Sequence, residues 1–275
     1  MKRWSLLFCF ALTAGSQTLF GQSAGNQVAR FHTDLGDIDV ALFQDVAPNT
    51  VANFLRYVNR GAYDNSFIHR SPPGFVVQGG GYRFINSQVV AIPQDPPVAN
   101  EFHVSNKRGT LAMAKTGSDP NSATNQWFFN ESDSNAFLDT QNGGFTVFGA
   151  IVSGSGLAAM DAIAAVPIFN AGTGSAFEQL PLRNYTSGNI QDANLVHVIW
   201  IKVVPQILAL THPSSSTVHI QGRGVPNSTY QLQMSTSPAA NTFTASVAVT
   251  ADSTGNISYD DTNAGTKKFY RLAIP

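Results

Sequence analysis

Apolar residues in this chain gather in short alternating runs bounded by turn residues, and only two stretches place them at helical spacing. Arg30 to Thr33 precedes a turn at Asp34-Leu35-Gly36-Asp37. Ile38, Val40 and Leu42 then alternate with Asp39, Ala41 and Phe43, which reads as a hairpin. Further strand-like runs lie at about Phe75 to Gln78, Thr110 to Ala114, Trp127 to Asn130, Val147 to Ile151 and Asn194 to Val204. Pro48 and Asn49 open a helix in which Val51, Phe54, Leu55 and Val58 share one stripe and Gly61 supplies the stop. A second helix spans Leu157 to Ala165 and ends before Pro167. Many short strands with two isolated helices predict a mainly β fold, an antiparallel barrel whose open ends are plugged by helices. Between Ile168 and Ala193 a stretch rich in Gly, Ser and Asn is too long for a simple turn, and is either an ordered excursion or a mobile loop.

At 275 residues the chain is longer than one average domain of roughly 100 to 200 residues. After Pro205 the texture changes to alternating segments at Val218 to Gln221, Tyr230 to Met234, Phe243 to Val249, Ile257 to Tyr259 and Phe269 to Leu272. Residues 207–275 therefore read as a small all-β, immunoglobulin-like module beside a first domain over residues 28–204. At the other end, Lys2 and Arg3 precede an apolar run from Trp4 to about Ala14 and then small and polar residues. That reads as a signal peptide over residues 1–24, cleaved after Gly21 or Ala24, so the expected location is periplasmic or extracellular. Cys9 lies inside that run and is the only cysteine, so the mature chain has no disulfide to form. No second run approaches the ~18 apolar residues of a membrane span. Hydrophobic residues make up 43% and charged residues 12%, with a net charge of -1, which gives no reason to expect nucleic acid or an anionic membrane as partner.

Three blocks carry the chemistry: Phe67-Ile68-His69-Arg70-Ser71-Pro72-Pro73-Gly74-Phe75-Val76-Val77-Gln78-Gly79-Gly80, then Gly109-Thr110-Leu111-Ala112-Met113-Ala114, then Asn125-Gln126-Trp127-Phe128-Phe129. They resemble the cyclophilins, the peptidyl-prolyl cis-trans isomerases. The resemblance runs from about Val28 to Val204 and includes Ala47-Pro48-Asn49-Thr50-Val51-Ala52-Asn53-Phe54 and Val147-Phe148-Gly149. It implies an eight-stranded antiparallel barrel capped by two helices, with a proline-containing peptide lying in an open groove. Carried across by motif, Arg70, Gln78 and Phe75 are the catalytic residues. Val76, Ala114, Lys115, Gln126, Phe128, Phe137, Leu138 and Phe145 bind the substrate. No metal or cofactor is required, since rotating an X-Pro bond needs only that the nitrogen lone pair be localised. The clients would be proline-containing segments of exported proteins.

Departures from the family pattern lie at the groove rim. Phe137 stands where many eukaryotic relatives have Trp, Phe145 where they have His, Val76 for the usual Met and Lys115 for the usual Asn. They imply an added positive charge near the peptide and only weak cyclosporin binding, because Phe137 has no indole N–H to donate.

Duller readings apply to single residues. Trp127 and Phe129 read as buried strand, and His69 as a structural residue bonded to backbone. Gly154-Ser155-Gly156-Leu157-Ala158-Ala159 fits a dinucleotide-binding GxGxxA, but no second parallel strand with a placed acidic residue completes the unit. No Gly-x-Ser-x-Gly marks a hydrolase, and no His or Glu pair has metal-site spacing. The alternative function is a peptide-binding module or chaperone using the same groove without turnover.

Overall fold

The computed structural model describes residues 27–214, 216–239, 242–264 and 268–273. The expected signal peptide, residues 1–24, lies outside the described residues. The chain divides into two compact units, Ala29–Lys202 and one that includes Val203–Pro275.

The first unit is built on one antiparallel sheet of ten strands. In chain order they are β1 (Val28–Thr33), β2 (Gly36–Leu42), β3 (Ser66–Phe67), β4 (Val76–Gly79), β5 (Tyr82–Ile85), β6 (Gln88–Ala91), β7 (Thr110–Met113), β8 (Trp127–Asn130), β9 (Val147–Ile151) and, after the excursion, β12 (His197–Val204). They lie side by side in the order β4-β8-β7-β9-β2-β1-β12-β3-β5-β6. The mainly β class expected from the sequence holds; the eight-stranded barrel is corrected to a ten-stranded sheet whose ladder does not run round to a closed ring. The chain just beyond β3 meets β4 through one isolated bridge, Arg70 with Gln78. The β5–β6 hairpin extends the sheet past that point.

Two α-helices accompany the sheet. The first, α1 (Pro48–Asn59), buries Val51, Phe54, Tyr57 and Val58, while Leu55 is only partly covered. Its preceding residue, Ala47, has no side chain that can cap. Glu101 supplies the missing acceptors from a distant loop, taking the backbone N–H groups of Asn49 (3.2 Å) and Thr50 (2.8 Å). The second, α2 (Gly154–Ala164), starts earlier than its apolar pattern predicts because the Ser153 hydroxyl accepts from Gly156 N–H at 3.0 Å. Its glycines serve this helix start, and β9 before it pairs antiparallel with β2 and β7, so no parallel dinucleotide unit forms here.

The core is aromatic. Phe31 meets Trp127 (4.9 Å) and Phe129 (5.1 Å) edge-on, and Phe54 packs on Phe31, Tyr63 and Phe148. Such edge-to-face pairs set the ring quadrupoles favourably while burying large apolar area. Trp127 and Phe129 are fully buried, as their strand position predicts.

The stretch after α2 is an ordered excursion. Within it, β10 (Ile168–Phe169) pairs with β11 (Leu180–Pro181). It carries a small core of its own, in which Leu180, Leu182 and Leu195 join Phe67 of β3.

The second unit contains two three-stranded antiparallel sheets. One joins β13 (Gln206–Thr211), β14 (Val218–Arg223) and β17 (Asn256–Asp261); the other joins β15 (Thr229–Ser235), β16 (Ala245–Thr250) and β18 (Phe269–Ala273). Val218, Ile220 and Ile257 from the first and Tyr230, Leu232, Val249 and Tyr270 from the second share one core. Both buried phenols are satisfied: Tyr230 accepts from Val225 N–H at 2.7 Å and Tyr270 donates to Asp261 at 2.8 Å. No helix among the described residues is long and apolar enough to cross a membrane.

Candidate active site

Strand β8 brings the site together because successive side chains point to opposite faces. Trp127 and Phe129 enter the main core, and Phe128 emerges on the other side. Phe128 lies opposite Gln78 on β4 and opposite Ala112 on β7. Around it Val76, Ala112, Leu138 and Val147 form a second apolar cluster, with Phe75, Ala114 and Phe145 partly buried at its edge. Leu138 comes from a 3-10 helix at Asp133–Asp139 whose Asn135 side chain donates to Phe75 O (2.6 Å) and to Asn130 (2.7 Å). That polar strut fixes the loop carrying Phe137 and Leu138 to the strand carrying Phe128.

Arg70 stands beside this cluster. Its guanidinium lies 5.5 Å from the Phe75 ring centre, a cation–π contact, and is half-buried. Burial alone acts on its pKa, lowering it from the ordinary arginine value, and the group remains charged. Gln78 donates to the Gln126 side chain at 2.9 Å, so the two carboxamides form one polar edge next to Arg70. Glycines make room for that edge. Gly80 has φ +80°, and a Cβ there would sit 2.6 Å from Asn125 O; a Cβ on Gly81 would sit 2.9 Å from the Gln126 amide nitrogen.

Lys115, expected to add a positive charge near the peptide, has its ammonium tied down within the chain. Its ammonium donates to Asn142 O and Gly144 O, each at 2.6 Å, and lies 4.7 Å from the Phe145 ring centre. Partial burial lowers its pKa. The residue staples a tight turn in which Asn142, Gly143 and Gly144 all have positive φ. Phe145 in turn meets Phe128 edge-on at 5.8 Å. Phe137 is 46% exposed and stacks on Phe75 at 5.8 Å.

His69 departs from its expected role. Its ring is fully buried, and neither nitrogen has a hydrogen-bond partner of good geometry, although the Gln126 side chain is close enough to act on it. It is held by packing, edge-on to Tyr82 at 5.0 Å. Burial lowers its pKa to about 4, with the Arg70 charge acting in the same direction and Gln126 against it.

The structure gathers every sequence-predicted site residue around one cluster or its rim. Two contributors were not read from sequence: Ala112 and Val147, fully buried at the cluster floor. The signal was available, since each alternates with a core residue, Leu111 or Phe148. Among the described residues no group of three or more His, Cys, Asp or Glu side chains is placed to hold a metal ion.

Residues 28–184, more than half of the chain, match the family described as cyclophilin type peptidyl-prolyl cis-trans isomerase/CLD. The chain is 41% identical over 167 residues to peptidyl-prolyl cis-trans isomerase A of Dickeya dadantii, covering 59% of this chain and 78% of that one. It is 44% identical over 131 residues to peptidyl-prolyl cis-trans isomerase B of Escherichia coli, covering 45% and 77%. Among solved structures, a cyclophilin type isomerase of Cryptosporidium parvum aligns with TM-score 0.48 and 22% identity over 65% of this chain and 98% of that one. On the family match and these bacterial relatives, the chain belongs to the cyclophilin type peptidyl-prolyl cis-trans isomerases and is an enzyme of that class.

Proposed function

We propose that this enzyme rotates X-Pro bonds in extended segments of exported proteins, with Arg70 donating to the prolyl nitrogen and the cluster around Phe128 holding the ring. The observation that carries this reading is Arg70 itself. Its guanidinium is half-buried with no acidic partner among the described residues, lies over the Phe75 ring, and belongs to a residue bridged through its backbone to Gln78.

An X-Pro bond resists rotation by about 18 to 20 kcal/mol because nitrogen shares its lone pair with the carbonyl. A donor aimed at that nitrogen interacts well only once it has become pyramidal, so the effect is concentrated in the twisted state. A 10⁴-fold acceleration corresponds to about 5 to 6 kcal/mol, of which one preorganised charged donor commonly supplies about 3 to 4. Holding the proline ring against Val76, Phe128 and Leu138 while the rest twists supplies the remainder. Gln78 and Gln126, joined to each other, bond substrate carbonyls. No proton has to move.

Two-dimensional exchange NMR on an Ala-Pro peptide tests the reading. Arg70→Ala is expected to lower turnover at least about 100-fold with the unfolding temperature unchanged. Arg70→Lys should not rescue it, because a compact ammonium cannot keep the planar two-sided geometry. Near-wild-type turnover in Arg70→Ala would sink the assignment.

The unit beyond Ile207 carries none of these residues. In this reading it is an independent β-module serving attachment or recognition outside the cytoplasm. A chain ending at Pro205 is expected to keep both turnover and unfolding temperature, and loss of either would make the module part of the enzyme's own structure.

A further inference from the structure

Among the described residues no hydrogen bond or ion pair grips the Arg70 guanidinium, so its position follows from the backbone that carries it and from the Phe75 ring. That backbone is held from three directions. Ile68 N–H donates to Val196 O at 2.9 Å; Gln78 N–H donates to Arg70 O (2.8 Å) while Gln78 O accepts from His69 N–H (3.1 Å); and Ser71 N–H donates to Gln179 O at 2.9 Å. The third hold comes from the excursion after α2. Side chains repeat the pattern. Ile68 points into the main core, while Phe67 packs into the excursion's own small core. Phe177, at the excursion's tip, stacks on Phe67 at 6.3 Å, meets Tyr82 at 4.8 Å and stands edge-on to His69 at 6.5 Å. The His69 backbone is tied to Gln78, and its ring, whose nitrogens have no partner of good geometry, is positioned mainly by packing against Tyr82 and Phe177.

We infer that the excursion over residues 168–194 is a backstop that sets the position of Arg70, with Phe177 as the positioning residue; this rests on Arg70 being the catalytic donor. Removing the Phe177 ring opens space into which Phe67 and His69 relax, and the continuous backbone carries Arg70 with them. A misplacement of about 1 Å is enough to cost on the order of 10²-fold in rate. The proline-holding cluster is separate from the excursion's core, so ground-state binding is untouched. The backstop therefore acts on kcat and spares KM.

The test is steady-state and exchange kinetics on the full chain. Phe177→Ala should lower kcat about ten-fold with KM within about two-fold of wild type, and shift the Arg70 side-chain Nε–H resonance. Phe177→Tyr, which keeps the ring, should restore both. In an Arg70→Ala background, Phe177→Ala should cost nothing further, since positioning acts through the group removed. Phe169→Ala, which loosens the same excursion at its contact with Tyr185 (5.0 Å) but leaves the Phe177 ring on Phe67 and His69, should lower stability with a smaller kcat loss than Phe177→Ala. A rise in KM at constant kcat, an equal kcat loss in Phe169→Ala, or a Phe177→Ala loss that persists without Arg70 would each overturn the backstop. Arg70→Ala measured alongside separates the two ways of failing. Unchanged turnover there overturns both the donor reading and this one, whereas a loss there with wild-type kcat in Phe177→Ala overturns the backstop alone.

Discussion

The two faces of β8 differ in what they bury and in what they leave open. Trp127 and Phe129 face a closed aromatic core, whereas Phe128, one residue away, faces a smaller cluster whose edge residues Phe75, Ala114 and Phe145 remain partly exposed. The segment after β3 repeats the contrast in charge. His69 is sealed among rings and held neutral, and Arg70, its neighbour, stays charged and half-buried beside the groove. Side-chain alternation thus separates stability from chemistry at intervals of a single residue. A strand that builds a core on one face can build a binding surface on the other with no extra structure.

The largest expected effect is on the closed face. Phe129→Ala removes a ring from a tightly packed core and should cost about 3 to 5 kcal/mol in denaturant unfolding. A cost under about 1 kcal/mol would mean the core collapses around the gap, and the faces would not differ in rigidity.

Next comes His69. An unfolded imidazole titrates near 6.5, and in the native protein this one titrates at about 4. Between those values the unfolded chain binds a proton that the native state refuses. Stability is therefore full above the unfolded value and falls as pH drops toward the folded one, by about 3 kcal/mol in all. Denaturant unfolding at pH 7 and pH 4.5 should show this slope in wild type and a flatter one in His69→Gln. Equal slopes would place the acid sensitivity elsewhere.

The smallest effect belongs to the open face. Phe128→Ala should lower stability by only about 1 to 2 kcal/mol, because solvent reaches the cluster's edge, and should raise KM for proline peptides. A stability loss matching Phe129→Ala with KM unchanged would erase the distinction between the faces.

Much of this was readable in the chain itself. The helical stripe from Val51 to Val58 and the alternation along β2, β8 and β9 are local patterns, and the blocks around Arg70, Gln78 and Gln126 keep their order and spacing. Other features have no local pattern to read. The hairpin of β5 and β6 escaped notice because Val89 and Val90 are both exposed, so its residues show no alternation between core and solvent. Its turn was marked only by Asn86 and Ser87, both at positive φ. β3 is two residues long, too short for any periodicity. The order of the excursion depends on Phe177 finding Phe67 over a hundred residues away, and the start of α1 depends on Glu101 reaching back to Thr50. Long-range pairing decides both. The anchoring of Lys115 has no local signal because its two carbonyl acceptors lie 27 and 29 residues downstream.

The chain just beyond β3 joins β4 at one bridge, and the residues that make it are Arg70 and Gln78. That seam, a single bridge rather than a ladder, runs through the proposed donor and its neighbour. Thermal breathing that parts the seam also scatters the donor and its carboxamide partner, so a half-opened molecule is silent rather than promiscuous. Amide protection at Gln78 and turnover are two readings of the same closed population.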